Sequence, residues 1–238
     1  MTKKLILIGG GGHCKTVIDV AESAGHHIMG ILGKPEEVGR QVLGYNVIGV
    51  DNDIPLYADK AEFIITVGFI KNPALRIRLY NKVLEAGGRL ATLVASTAYV
   101  SKYAVLGKGT VVMHQAFVNA GAMIGDNVIL NTFSNIEHDA CIGNQCHIST
   151  GTMVNGDCNV GNNVFVGSQS VLSNGIRICD DVIVGAGSFV RKPIHVKGLY
   201  SGNPATLKYG YECTDYSRGR CQPQRLHGNC PEVGGCGC

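Results

Sequence analysis

Every sixth residue from Val94 to Val196 is Val, Ile or Leu, through eighteen consecutive positions. The series runs through Val94, Leu106, Ile124, Ile136, Ile148, Val160, Ile178 and Val196. A helix repeats at about 3.6 residues and a half-buried strand at two, so neither gives this spacing. A hexapeptide solenoid does: each unit is a short strand plus a corner, and the sixth residue returns to the interior. The residue two places before each aliphatic is mostly small, among them Ala104, Thr110, Ala122, Cys146, Thr152 and Cys158. Small residues belong where three walls converge and a large side chain would not fit. The residue after each aliphatic is often Gly, Asn or Ser, as at Gly107, Gly125, Asn131, Gly143 and Gly167. Gly and Asn suit a tight corner backbone. The spacing predicts a parallel β-helix.

Residues 1–93 lack the six-residue period and alternate strand with helix. Leu5–Ile8 reads as a buried strand, Gly9–Gly12 as a turn, and Cys14–Ala24 as a helix with an apolar face. His27–Leu32 and Phe63–Val67 read as strands, and Leu90–Val94 as a last one. Pro73–Ala86 reads as a helix with Leu75, Leu79, Val83 and Leu84 on one side, stopped by Gly87-Gly88. This order implies a small parallel sheet of Rossmann-like βαβ units. The chain therefore divides into a Rossmann-like domain (1–93), which the glycine turn and the resemblance described below mark as substrate-binding, a β-helix (94–208) and a tail (209–238) without periodicity. The β-helix closes at Gly202-Asn203-Pro204-Ala205.

The formal charge of +3, with no run of Lys or Arg, gives no argument for nucleic acid. Leu5–Ile8 is far too short to span a bilayer, and too close to Lys3 and Lys4 to be a signal-peptide core. A soluble cytoplasmic protein is the expectation. Of ten cysteines, Cys14, Cys141, Cys146, Cys158 and Cys179 are scattered through the body. Cys213, Cys221, Cys230, Cys236 and Cys238 crowd the last 26 residues. The body reads as a reduced cytosolic enzyme and the tail as disordered or locally cross-linked.

Several motifs carry chemistry. Gly10-Gly11-Gly12-His13 follows the first strand; Asn131-Thr132 leads into Ile136-Glu137-His138-Asp139. His147-Ile148-Ser149, Asn155-Gly156-Asp157, Phe165-Val166-Gly167 and the closing Gly-Asn-Pro-Ala come after. With the two-part organisation, these resemble a family of bacterial sugar acyltransferases. It includes sialic acid O-acetyltransferases and N-acetyltransferases of UDP-linked bacillosamine-type amino sugars. The resemblance covers residues 3–208 and implies left-handed coils, which six-residue spacing alone does not show.

An isolated histidine in a β-helix is more often a solvent-facing corner residue than a catalyst. His138, however, sits two places past Ile136 between Glu137 and Asp139, either of which could fix its tautomer. The resemblance implies that His138 is the general base, taking a proton from a sugar amine or hydroxyl, with Asp139 raising its basicity. It also implies acetyl-CoA as co-substrate in a groove between solenoids of a homotrimer, with His147, Gly156, Ser168 and Ala186 as contacts. Arg191, Lys192 and Lys208 either meet coenzyme phosphates or form a solvated end. His114 shares the corner register without acidic neighbours and reads as structural.

The glycine turn does not complete a dinucleotide fingerprint. The third glycine place holds Cys14 or Lys15, and the acid expected after the second strand is missing at Gly33-Lys34. NAD is therefore not expected. A glycine turn opening a helix can still take a phosphate, so Gly10, Gly11, Gly12 and His13 are substrate-binding candidates. The expectation is an acetyl-CoA-dependent sugar acetyltransferase serving surface glycan biosynthesis, with no metal, no nucleic acid and no membrane insertion. His-Ile-Ser-Thr followed by Val-Asn-Gly-Asp leans toward O-acetylation, and the glycine turn suits either acceptor. A zinc hydratase of the carbonic anhydrase type is the alternative, but it needs a His-x4-His pair that His138 and His147 do not form. A non-catalytic scaffold is another, and would not need the Glu-His-Asp corner.

Overall fold

A computed structural model describes residues 4–210. The N-terminal part is a sheet of β1 (Lys4–Ile8), β2 (His27–Gly33), β3 (Gln41–Val42), β4 (Tyr45–Val50), β5 (Glu62–Ile65) and β6 (Arg89–Leu90). Its order is β3-β4-β2-β1-β5-β6, parallel except for the β3–β4 hairpin. α1 (Gly12–Ser23) and α2 (Ala74–Glu85) supply the helices. After the exposed Lys4, β1 is apolar from Leu5 to Ile8 because both faces are covered. Leu5 and Leu7 point to one core with Val17, Ile18 and Ala21 of α1. Ile6 and Ile8 point to the other, with Leu79 and Val83 of α2.

Two expectations for this part need correction. In α2 the buried residues are Arg76, Leu79, Tyr80 and Val83, whereas Leu75 and Leu84 are exposed. The expected strand Leu90–Val94 is two pieces: Arg89–Leu90 ends the N-terminal sheet, and Leu93–Val94 begins the solenoid.

The remaining described residues form a left-handed parallel β-helix with three walls. The first wall stacks Leu93–Val94, Val111–Val112, Ile129–Leu130, His147–Ile148, Phe165–Val166 and Val182–Val184. The second stacks strands from Tyr99–Val100 to Phe189–Val190, and the third from Val105–Leu106 to Arg177–Ile178. Partners in each wall stand eighteen residues apart, as Val111 pairs with Ile129 and Val112 with Leu130. Three hexapeptides therefore make one coil. The sixth-position aliphatics from Val112 to Val190 form one buried cluster with the small apolar residues Ala116, Ala122, Ala140, Cys146 and Cys158.

The small interior slot also supplies hydrogen bonds. The Thr110 hydroxyl donates to the Gly125 carbonyl (2.8 Å), the Cys146 thiol to Gly161 (3.0 Å) and the Ser170 hydroxyl to Gly185 (2.9 Å). Each donor reaches a carbonyl fifteen residues ahead, so these groups satisfy corner backbone inside the coil.

The corner residues differ from expectation. The left-handed backbone lies three places past the aliphatics from Leu106 to Val184, at Gly109, Gln115, Gly121, Asn127, Phe133, Asp139 and on to Gly187. The glycines one place past are needed for close approach. A Cβ on Gly143 would lie 2.6 Å from the Gly161 backbone of the next coil. The period also breaks at its end: Val196 is exposed, and Ile194 takes the interior slot by bridging to Ile178. The chain then adds a strand Gly198–Ser201 to the first wall and an antiparallel strand Thr206–Gly210. Tyr209 and Gly210 thus belong to a strand. The rest of the expected tail, with its five cysteines, lies outside the described residues.

Candidate active site

The first wall faces the N-terminal sheet. Its outward residues Val111 and Ile129 join the α1 core, and Phe165 and Ile183 pack with Phe69. His147 stands in this column, 8% exposed. Its Nδ1–H donates to the Phe69 carbonyl at 2.8 Å, which leaves Nε2 as an acceptor facing the Asn131 amide at 3.4 Å. Phe165 meets the imidazole edge-on with ring centroids 5.2 Å apart, and the His13 ring lies 6.4 Å away. Burial pulls His147 down to about 4, with the Arg76 charge adding to the fall. Burial, then Arg76, then His147 pull His13 to about 3. Both rings are therefore neutral at ordinary pH. The His13 Nε2 is enclosed and has no hydrogen-bond partner among the described residues.

Arg76 is the residue that sequence reading missed. It is fully buried, and its Nη1 donates to the carbonyls of Ile65 (3.0 Å) and Val67 (2.6 Å). Its Nη2 donates to the carbonyl of Asn127, at a solenoid corner, at 3.0 Å. Beside it the Tyr80 hydroxyl donates to Asp126 at 2.8 Å. α2 is thereby tied to the β-helix. An Arg on an amphipathic helix reads as surface; nothing in the local pattern marks it as a strut.

The glycine turn opens α1. Gly11 is the N-cap residue and no side chain caps the helix, so the first N–H groups lack intrahelical acceptors. Gly11 and Gly12 are exposed, Gly10 and His13 partly so. Gly10 borders a cavity of about 340 Å³ that also touches Lys15, Glu37, Arg40 and Val47.

His138 is elsewhere. It occupies the corner between the second and third walls, with its side chain 60% exposed. Its Nδ1–H donates to Asp139 Oδ2 at 2.9 Å. Asp139 is thus the acid that orients the ring, because Glu137 is held by the side-chain amides of Asn119 (2.7 Å) and Asn135 (2.9 Å). Those amides, Asn135 first, hold the Glu137 carboxyl below its usual range. The Asp139 hydrogen bond, aided by the charges of Asp139, Glu137 and Asp157, raises His138 above the ordinary histidine value. The ring lies over Gly156, where a Cβ would come within 2.7 Å of both Cε1 and Nε2. Nε2 makes no hydrogen bond among the described residues.

The predicted site residues therefore fall into two groups. His13, the glycine turn and His147 meet at the first wall. Ser168 stands at the following corner, its hydroxyl 2.9 Å from that of Ser149, and Ala186 is stacked one coil further. His138, Asp139 and Gly156 share the corner opposite the first wall. Arg191, Lys192 and Lys208 are exposed. His114 bonds the Thr97 hydroxyl at 2.7 Å and approaches Asp19 of α1 at 3.2 Å, which suits a structural part.

Known proteins resemble this chain in sequence and fold. A family model for the PglD N-terminal domain matches residues 4–83, and one for the bacterial transferase hexapeptide (six repeats) matches residues 157–192. PerB from Caulobacter crescentus, solved with CoA and GDP-perosamine, is 30% identical. The match covers 87% of this chain and 98% of that one, with a TM-score of 0.81. A His-to-Asn form of the Caulobacter perosamine N-acetyltransferase, with the same two molecules bound, matches equally. The acetyltransferase domain of PglB from Neisseria gonorrhoeae, with acetyl coenzyme A, is 28% identical over 87% of this chain and 100% of that one, at a TM-score of 0.80. An uncharacterized protein of Acanthamoeba polyphaga mimivirus is 32% identical over 108 residues. That match covers 44% of this chain and 20% of the viral protein, so the chain spans about a fifth of that relative's length.

Proposed function

The chain belongs to the hexapeptide-repeat family of sugar acyltransferases, and from that premise we propose that it moves acetyl from acetyl-CoA to the amine of a nucleotide-linked amino sugar. The observation that carries this reading is the His138–Asp139 pair at an exposed corner, with Nδ1 engaged and Nε2 open above Gly156. In this reading Nε2 removes a proton as the amine nitrogen attacks the thioester carbonyl. The carbon–sulfur bond then breaks, and the departing thiolate takes up a proton. Amine acetylation replaces the lean toward O-acetylation, because the named reaction among the relatives is perosamine N-acetylation.

The glycine turn and His13 hold the nucleotide end, with phosphate on the uncapped α1 N-terminus. The acetyl-CoA co-substrate runs along the corner of Ser168 and Ala186 and meets Gly156 of another copy. His147 stays in the interdomain packing behind it. The split of the site between opposite sides of one solenoid supports assembly, since one chain cannot join its own halves. Homotrimer formation is further supported by the exposed apolar residues of the second and third walls. Tyr99 and Phe117 stack at 4.9 Å, and Val105 and Met123 lie outside. No helix among the described residues is long and apolar enough to cross a membrane. Free thiols at Cys14, Cys141, Cys146 and Cys158 fit a reducing compartment, in keeping with a cytoplasmic role in glycan precursor synthesis.

The test is incubation with acetyl-CoA and a panel of nucleotide amino sugars and sialic acids, with mass spectrometry of the products. A 42-dalton gain on an amine (about the mass of one acetyl group replacing hydrogen) supports the assignment. Acetylation confined to hydroxyls, or none, overturns it.

A further inference from the structure

In doubly wound nucleotide folds an acid at the end of the second strand meets the ribose hydroxyls, while the phosphates sit at the first glycine turn. Gly33-Lys34 ends β2 here and carries no acid. The fold restores one from further along. Glu37, in the short turn Pro35–Glu37, bends back so that its Oε2 accepts the Lys34 N–H at 2.9 Å. That oxygen lies 2.8 Å from where a Cβ on Gly33 would sit and 3.4 Å from one on Gly10. The two glycines thus leave room for a carboxylate spanning the end of β2 and the start of the glycine turn. Capping accounts for one of its oxygens; Oε1 makes no hydrogen bond among the described residues.

The carboxylate borders the cavity of about 340 Å³. Val42, Leu43 and Val47 give that cavity an apolar side, and Lys15 and Arg40 give it positive charge. An ionised carboxylate only accepts hydrogen bonds, so the ligand group beside Glu37 is a donor. Phosphate is excluded from that spot by like charge and belongs with Lys15, Arg40 and the α1 N–H groups.

We propose that Glu37 reads the ribose of the substrate, its Oε1 accepting from the nucleoside hydroxyls while the base lies against Val42, Leu43 and Val47. The acceptor is then the sugar ester of a ribonucleoside diphosphate, and its 2′-deoxy counterpart is disfavoured. This rests on the nucleotide-sugar reading above, but its test is binding and needs no acetyl transfer.

Calorimetry of the full chain with UDP, GDP and their 2′-deoxy forms measures it. The ribo form that binds should do so about tenfold more tightly than its deoxy form, the effect of one hydrogen bond to a charged group. Glu37→Gln keeps an oxygen for the Lys34 N–H, so the turn survives. This variant should lower ribo affinity to the deoxy level and leave deoxy affinity unchanged. Equal binding of ribo and deoxy forms by the native chain overturns the proposal. So does a Glu37→Gln effect equal on both, which would put Glu37 on the base. If neither nucleotide binds yet an amino sugar is acetylated, the ribose assignment fails and acetyl transfer stands. Selective ribo binding without any acetyl transfer upholds the ribose assignment and overturns the transfer reaction.

Discussion

A general base must be unprotonated when the nucleophile arrives, and the Asp139 hydrogen bond biases His138 the other way while making its Nε2 more basic. The balance shows in the pH profile. Activity should rise with pH through a value above the ordinary histidine pKa of about 6.5. Asp139→Asn removes the principal cause of the raised value, so the acid limb should move to lower pH and the plateau should fall modestly. His138→Ala should lower the chemical rate by about a hundredfold or more, with unchanged circular dichroism because the ring is exposed. Near-native turnover by the folded alanine variant sinks the assignment. His138 and its two flanking acids were legible in the sequence; the residues alone left either acid open, and the family resemblance pointed to Asp139. Glu137 is claimed by Asn119, which is eighteen residues away and becomes a neighbour only through coil stacking.

Stacking also explains why two sets of glycines in one repeat behave differently. Gly143 faces the Gly161 backbone, which no rotamer change can move. Gly151 is a left-handed corner (φ 66°) whose added Cβ would meet only the Gln169 side chain, at 3.5 Å. Gly151→Ala should therefore cost about 1 kcal/mol, the left-handed penalty of a residue with a Cβ. Gly143→Ala should cost roughly 3 kcal/mol or more, because adjacent coils must part. Denaturant unfolding of the two variants measures the difference, and equal losses would mean the coils do not approach as described. The six-residue period revealed the interior, because burial repeats with the backbone. It could not separate the close-approach position from the left-handed one, since glycine serves both. Nor could it show where the coil stops: Val196 keeps the spacing by composition, yet Ile194 fills the slot.

The joint between the N-terminal sheet and the solenoid is built on a buried cation beside two neutral histidines. Burial alone pulls Arg76 down to about 9. His13 and His147 titrate at about 3 and about 4 in the folded chain and near 6.5 when unfolded. Below about pH 6.5 the unfolded chain binds more protons, so stability present above that pH is lost progressively toward pH 4. The melting temperature should fall over that window, and His147→Gln, whose amide N–H can still reach the Phe69 carbonyl, should fall less. An identical pH slope in the variant would remove His147 from the joint. None of this was legible, since sequence spacing cannot say that Arg76 of a helix meets Asn127 of a coil. The same joint bears on the proposed homotrimer. It fixes the glycine turn against the first wall, while His138 points from the opposite corner. On the proposed function, a working site needs the turn of one copy and the His138 of another. Gly12→Glu should block phosphate by charge without disturbing the fold, because nothing lies within 4 Å of the added Cβ. His138→Ala should block proton removal. Each variant alone should be nearly inactive. Assembled together in equal amounts, one site in four draws both intact halves, so about a quarter of native activity should return. Sites contained within single chains would leave the mixture as inactive as its components, and steady-state rates of the co-assembled protein distinguish the two outcomes.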